Sequence, residues 1–169
     1  EGLIFIHRRK YIHRDIKPQN ILLRPKNGSA VAKLGDFGLA RSYERHGGTI
    51  TRTGEYAGTL MFMPPEQILN FKRCGPSVDI YALGVTLYFL LTGEFSLDFP
   101  LRFRERMRRD PVQIILSRRP EDQPIPIRDR NPNIPPALAR VVDQAVQKEA
   151  DRRYPTAEAF REALQGALS

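Results

Sequence analysis

His13-Arg14-Asp15-Ile16-Lys17-Pro18-Gln19-Asn20 sets an acid, basic side chains and an amide side by side within eight residues. Packing alone does not require that density of ionic groups. The chain on either side reads as short elements that hold this stretch in place. Downstream, Ile21-Leu22-Leu23-Arg24 and Ala30 to Leu34 are extended runs, separated by Pro25-Lys26-Asn27-Gly28-Ser29. Asn-Gly tolerates positive φ, so the spacing predicts a β-hairpin. That hairpin would hold Asn20 at one end and Asp36 at the other. Upstream, Lys10 to His13 reads as a short extended run and Leu3 to Ile6 as the end of a helix.

Farther out, residues 36–66 have neither helical nor strand periodicity, and a stretch that long without structure is usually functional or disordered. Val78 to Thr92 is the most apolar segment. With Ser77 as N-cap and Gly93 as its C-terminal stop, it predicts a helix buried on all sides. A bilayer needs roughly 20 residues, and this run is shorter and contains Asp79, so a membrane span is the poorer reading. Residues 97–130 are rich in Arg and Pro; a short helix near 104–109 is followed by an irregular connection around Pro120, Pro124 and Pro126. Pro135-Pro136 open a helix over about 136–148, with Leu138, Val141, Val142, Ala145 and Val146 on one face. A last helix starts near Thr156 and carries Phe160, Ala163, Leu164, Ala167 and Leu168.

The chain has 169 residues, 41% of them hydrophobic, enough for one domain with a real core. It begins at Glu1, without an initiator Met or a signal peptide, and so reads as a piece of a longer protein. A lone cysteine, Cys74, leaves no internal disulfide framework and suits a reducing compartment. The net charge is +8, with much of the Arg excess in 102–109 and 118–130. Such a balance can serve nucleic acid or an anionic surface. The aromatic interleaving of single-strand binders is sparse, however. A solvated basic face or a dock for acidic substrates is the simpler account.

The octet has the pattern H-R-D-x-K-P-x-N and resembles the catalytic loop of protein kinases of the Ser/Thr type. The resemblance runs from about Gly2 to Leu168. It implies an α+β, protein-kinase-like fold: a mainly α-helical C-terminal lobe with a small β-hairpin carrying the catalytic and DFG loops. Its parts would be a catalytic loop at 13–20, a DFG and activation segment at 36–66, a buried central helix at 78–92 and the two C-terminal helices. The implied activity is transfer of the ATP γ-phosphate to protein Ser/Thr hydroxyls, with Mg²⁺. Asp15 would accept the hydrogen bond of the substrate hydroxyl, Lys17 would sit near the γ-phosphate, and Asn20 would be an uncharged oxygen ligand for Mg²⁺. Asp36-Phe37-Gly38 resembles the second metal motif: Asp36 would bridge Mg²⁺ to the phosphates, Phe37 would pack inward beneath the site, and Gly38 would act as the hinge. Leu22 would touch the adenine.

Gly58-Thr59-Leu60-Met61-Phe62-Met63-Pro64-Pro65-Glu66 is similar to the family's G-T-x-x-Y-x-A-P-E, with Phe62 for Tyr and Pro64 for Ala, departures that look like those of some bacterial kinases. By the resemblance, Thr59 would hydrogen-bond Asp15 and Lys17, Glu66 would pair with Arg153, and Asp79 would accept from the backbone at His13 and Arg14. Arg14 before Asp15 implies activation by a phosphothreonine. Thr51 and Thr53 are the candidate sites, and Arg41 a second anchor.

The resemblance covers the second half of a kinase only. No G-x-G-x-x-G precedes the octet; Gly47-Gly48 falls in the activation segment. Val31-Ala32-Lys33-Leu34 looks like the V-A-I-K strand but leads into Asp36-Phe37-Gly38. The N-terminal lobe is therefore expected to be absent, and residues 1–169 alone are expected to be inactive, with apolar surface exposed. Expected partners are ATP, protein substrates, and a second copy as a homodimer for trans-autophosphorylation. No nucleic acid and no membrane contact within this chain are expected. A cytoplasmic location, with any anchor outside residues 1–169, follows from the same resemblance. The rival readings are a pseudokinase or protein-docking module without catalysis, and a basic nucleic-acid-binding domain, whose mark would be a steep loss of affinity with salt.

Overall fold

In the computed structural model, residues 1–38, 41–42, 59–70, 74–98 and 123–169 are described, with the backbone alone at 41, 42 and 59. Helix α1 (Gly2–Arg8) buries Leu3, Ile4 and Ile6 and leads into the short strand β1 (Tyr11–Ile12). After a 3₁₀ turn at Pro18–Asn20 comes the hairpin of β2 (Ile21–Lys26) and β3 (Ser29–Leu34). Its antiparallel register runs from Ile21 opposite Leu34 to Lys26 opposite Ser29. Asn27 (φ 47°) and Gly28 (φ 76°) both take positive φ, the geometry of a two-residue turn matched to strand twist. Strand β4 (Arg41–Ser42) pairs antiparallel with β1.

The remaining described helices are α2 (Pro65–Leu69), α3 (Ser77–Thr92), α4 (Ile127–Arg130), α5 (Pro136–Ala145) and α6 (Ala157–Leu168). Helix α3 is the axis of the core. Ile80 packs with Val141, Ala145, Tyr154 and Phe160. Tyr88 packs with Ile127, Ile134, Ala139 and Val142, while Ala82 meets the buried face of α1 and Ile16. The closest approach is at Gly84, where a Cβ would lie 2.7 Å from Ala145 Cβ and 3.1 Å from Val146 Cγ1.

Three expectations change. Ser77 is the first helical residue of α3 rather than its cap: Pro76 (φ −57°, ψ −23°) occupies the N-cap and its carbonyl already accepts from Asp79 N at 3.1 Å. Helix α3 is buried over its first three turns, but in the last turn Leu90 is 63% exposed while its neighbour Leu91 packs on the cluster of Ile127, Ala139 and Val142, so only one side of that turn is covered. Gly93 ends it with φ 73°, as a left-handed C-terminal stop requires. Helix α5 stops at Ala145, short of residue 148: Gln147 N bonds the carbonyl of Gln144, three residues back rather than four, at 3.3 Å, and beyond it the carbonyls of Gln147 and Lys148 accept from the Arg153 guanidinium, each at 2.7 Å. The final helix begins as expected, with the Thr156 side chain accepting from Ala159 N at 3.1 Å. The helix expected near 104–109 lies outside the described residues.

Phe62, the expected Tyr position, is buried against Phe95 (centroids 5.5 Å) and Phe89 (6.4 Å), an aromatic surround that suits a ring without a hydroxyl. Among the described residues, no helix is long and apolar enough to cross a membrane.

Candidate active site

The octet leaves β1 directly over the N-terminus of α3, where Asp79 is fully buried. An unpaired buried carboxylate would be costly, and Asp79 is not unpaired. Its Oδ1 accepts Arg14 N at 2.8 Å; its Oδ2 accepts His13 N at 2.8 Å and faces His7 Nε2 at 2.8 Å. These contacts fix the backbone entering Asp15. Arg14, itself buried, has φ 68°, a left-handed conformation that persists only where the surroundings over-determine it. The His13 ring is fully buried; Nε2 lies 2.9 Å from Gly35 O, and Nδ1 accepts Asp15 N at 3.3 Å, the pattern of the Nε2–H neutral tautomer.

The two oxygens of Asp15 have different surroundings. Oδ2 is held by Lys17 Nζ at 3.0 Å and by Asn20 Nδ2 at 2.8 Å. Oδ1 is buried and has no hydrogen-bond partner among the described residues. Asn20 Nδ2 also donates to Asp15 O at 2.8 Å, so its amide nitrogen is committed inward and its oxygen is the end left to face outward. Across the hairpin base, Gly35 N donates to Asn20 O at 2.8 Å, which puts Asp36 next to the octet. Asp36 has φ 53° and is exposed; its Oδ1 accepts Gly38 N at 3.1 Å. The positive φ of this motif therefore lies at Asp36, not at the expected hinge Gly38. Glycine at 38 has another cause: a Cβ there would lie 3.1 Å from Asp36 Oδ1.

Phe37 departs from expectation. It is 50% exposed, not packed inward beneath the site, and it sets an edge against the buried His13 ring with centroids 4.9 Å apart. His13 can cover one side of the ring only, so the other stays open. Leu22 is 60% exposed on β2. A Cβ at Gly35 would come within 3.2 Å of Leu22 Cδ1, so glycine there makes room for that side chain. Glu66 and Arg153 form a two-point ion pair, Nη1–Oε1 2.5 Å and Nη2–Oε2 3.2 Å, while Arg152 lies toward Glu149 instead. The guanidinium also stands over the Tyr81 ring at 4.8 Å. Thr51 and Thr53 lie outside the described residues, as do the side chains of Arg41 and Thr59.

Two polar residues close to the octet carry no motif signal. One is His7, on α1 against Asp79. The other is Gln67, 1% exposed, whose Nε2 donates to Arg14 O at 2.7 Å. The need of a buried Asp79 for donors could have prompted a search for His7; nothing in the sequence marks Gln67.

The chemistry of this set suits a hard cation and a phosphate ester. The Asn20 oxygen and the Asp36 carboxylate are two oxygen donors on adjoining segments. Among the described residues, no group of three or more His, Cys, Asp or Glu could cage a metal alone. Two donors with the rest of the shell left to phosphate and water is the usual manner of holding Mg²⁺.

Residues 1–164 match the family model described as the protein kinase domain. Serine/threonine-protein kinase PknB of Mycolicibacterium smegmatis is 35% identical over 164 residues, 95% of this chain and 24% of that protein. Serine/threonine-protein kinase Pkn1 of Myxococcus xanthus is 37% identical over 170 residues, 100% of this chain and 23% of that protein. The chain thus spans about a quarter of the length of these curated relatives. Among solved structures, the kinase domain of Mycobacterium tuberculosis PknI is similar in fold, with a TM-score of 0.63 at 20% identity, covering 99% of this chain and 51% of that one.

Proposed function

The chain belongs to the protein kinase family, as a bacterial-type, eukaryotic-like Ser/Thr kinase domain, and from that premise we propose that the protein carrying it transfers the γ-phosphate of ATP to Ser and Thr hydroxyls of other proteins. The observation that carries the reading is the asymmetry of Asp15. Lys17 and Asn20 hold Oδ2, and Oδ1 is buried with no hydrogen-bond partner among the described residues. A buried acceptor left unmade is expensive, on the order of 1–3 kcal/mol. A substrate hydroxyl donating to Oδ1 would remove that cost while aligning its oxygen for attack. Lys17 holds the carboxylate and supplies positive charge at the site. Asn20 and Asp36 are the residues that would hold Mg²⁺, and Leu22 the one that would meet the adenine. ATP and Mg²⁺, when bound, supply the phosphoryl group and the neutralisation of its developing charge.

The reading extends to organisation. On this reading the chain would be the larger, helical lobe of a kinase, which the 51% coverage of the PknI kinase domain supports. Residues 1–169 on their own are then expected to transfer little or no phosphate. A phosphothreonine at 51 or 53 would pair with Arg14, with Arg41 as a second anchor. Mass spectrometry of the active protein checks this, and an active form unmodified at both threonines would exclude it. Location in the cytoplasm and pairing of two copies for autophosphorylation belong to the same reading.

The test of the central assignment is transfer of labelled γ-phosphate from ATP by the intact protein, followed by phosphoamino-acid analysis. The expected result is phosphoserine and phosphothreonine, lost when Mg²⁺ is chelated. An intact, folded protein that binds ATP and labels nothing would overturn it in favour of a docking module.

A further inference from the structure

We propose that Gln67 is a positioning residue for Asp15, a buried amide that sets the peptide plane entering the catalytic carboxylate; the inference rests on the role given to Asp15 above. The peptide joining Arg14 to Asp15 is held at both ends. Its carbonyl, Arg14 O, accepts from Gln67 Nε2 at 2.7 Å, and its N–H, on Asp15, donates to His13 Nδ1 at 3.3 Å. One residue earlier, Arg14 N donates to Asp79 Oδ1 at 2.8 Å. Arg14 sits between these anchors with φ 68°. A side chain with a Cβ leaves that conformation when its backbone is free to turn. Rotation of the Arg14–Asp15 peptide changes ψ of Arg14 and φ of Asp15, and this motion would swing the Asp15 side chain away from Lys17 and Asn20.

A carbonyl oxygen can only accept, so the Gln67 atom facing it must be the amide nitrogen. Gln67 is 1% exposed, so water does not replace it readily. Its helix, α2, also carries Glu66, paired with Arg153, and Ile68, packed on Leu60 and Met63. The bond to Arg14 O therefore ties the position of Asp15 to the seating of residues 60–69. Glu66 anchors that segment to the C-terminal helices, and Gln67 passes its position to the catalytic loop.

The test is steady-state kinetics on the intact protein with Gln67→Met, which keeps the size and removes the donor, and Gln67→Glu, which sets a carboxylate oxygen against the carbonyl. Each is made alone and in combination with Asp15→Asn. The expected result is a kcat at least about tenfold lower in both single variants, with KM for ATP within about twofold of the parent. In the Asp15→Asn background neither change should lower kcat further, because both act through one carboxylate. Parental kcat in a folded Gln67 variant overturns the proposal. So does an equal proportional loss with and without Asp15→Asn, and so does loss of folding in both variants, which would make Gln67 merely structural. Undiminished kcat in Asp15→Asn alone is a separate outcome, and it would remove the function assigned to Asp15 itself.

Discussion

Asp15 and Asp79 are both buried acids, and their surroundings differ. Every oxygen of Asp79 is used. Two backbone N–H groups and His7 surround it, and each bond to a charged acceptor is worth about 1.5–3 kcal/mol. Asp79→Asn would turn an amide N–H₂ toward at least one of those donors. We expect a loss of about 3 kcal/mol in a chemical denaturation series; a change within about 0.5 kcal/mol, as at ordinary surface sites, would contradict the role. Asp15 keeps one oxygen in reserve. The acids themselves were legible in the sequence, because H-R-D-x-K-P-x-N is a local pattern and an Asp inside an apolar run asks for partners. His7 and Gln67 were not. They reach the octet from α1 and α2 through tertiary packing, which leaves no mark in the spacing of residues.

At the level of elements, local rules succeeded where a turn or cap decides the geometry. Asn27-Gly28 specified the hairpin, Gly93 the end of α3 and Thr156 the start of α6. They failed where a distant side chain decides. Arg153 reaches back to the carbonyls of Gln147 and Lys148, just past the end of α5, and the exposure of Leu90 depends on what covers the last turn of α3. The α3–α5 crossing is tight enough that Gly84→Ala should cost about 1–3 kcal/mol, since the neighbours are a methyl and a backbone carbon rather than a flexible tip. An unchanged unfolding midpoint would show that the helices can separate without penalty.

The α4–α5 junction carries a pH signature. Burial raises the Asp143 carboxyl above the ordinary aspartate range, against the Ile127 N–H it accepts at 2.8 Å, which lowers it. An acid raised in the fold contributes its full stability below the unfolded-state value and loses it as pH rises through the folded value. Asp143→Asn keeps an oxygen for Ile127 N and removes the titration. The variant's unfolding midpoint should therefore fall less than the parent's as pH rises just above the ordinary aspartate range; parallel profiles would contradict the assignment.

Taken whole, the molecule is a helical body with its chemistry on one edge. The hairpin stands away from the core: β2 and β3 are exposed along nearly their full length, including Leu22, Leu23 and Val31. That arrangement places the buried Asn20 and the exposed Asp36 together at the hairpin base, beside Asp15. The protein-kinase-like fold was legible through the resemblance carried by H-R-D-x-K-P-x-N and Asp36-Phe37-Gly38, and the apolar and amphipathic patterns of α3, α5 and α6 marked its helices. The half-open Phe37 was not, because its placement depends on how much of its ring His13 covers. The central claim is that Asp15 orients the acceptor hydroxyl. Its most direct test is kcat of the intact protein with Asp15→Asn, measured beside KM for ATP and the unfolding midpoint. We predict kcat lower by about 10²–10⁴-fold with the other two near the parent's values; a kcat equal to the parent's would contradict the account.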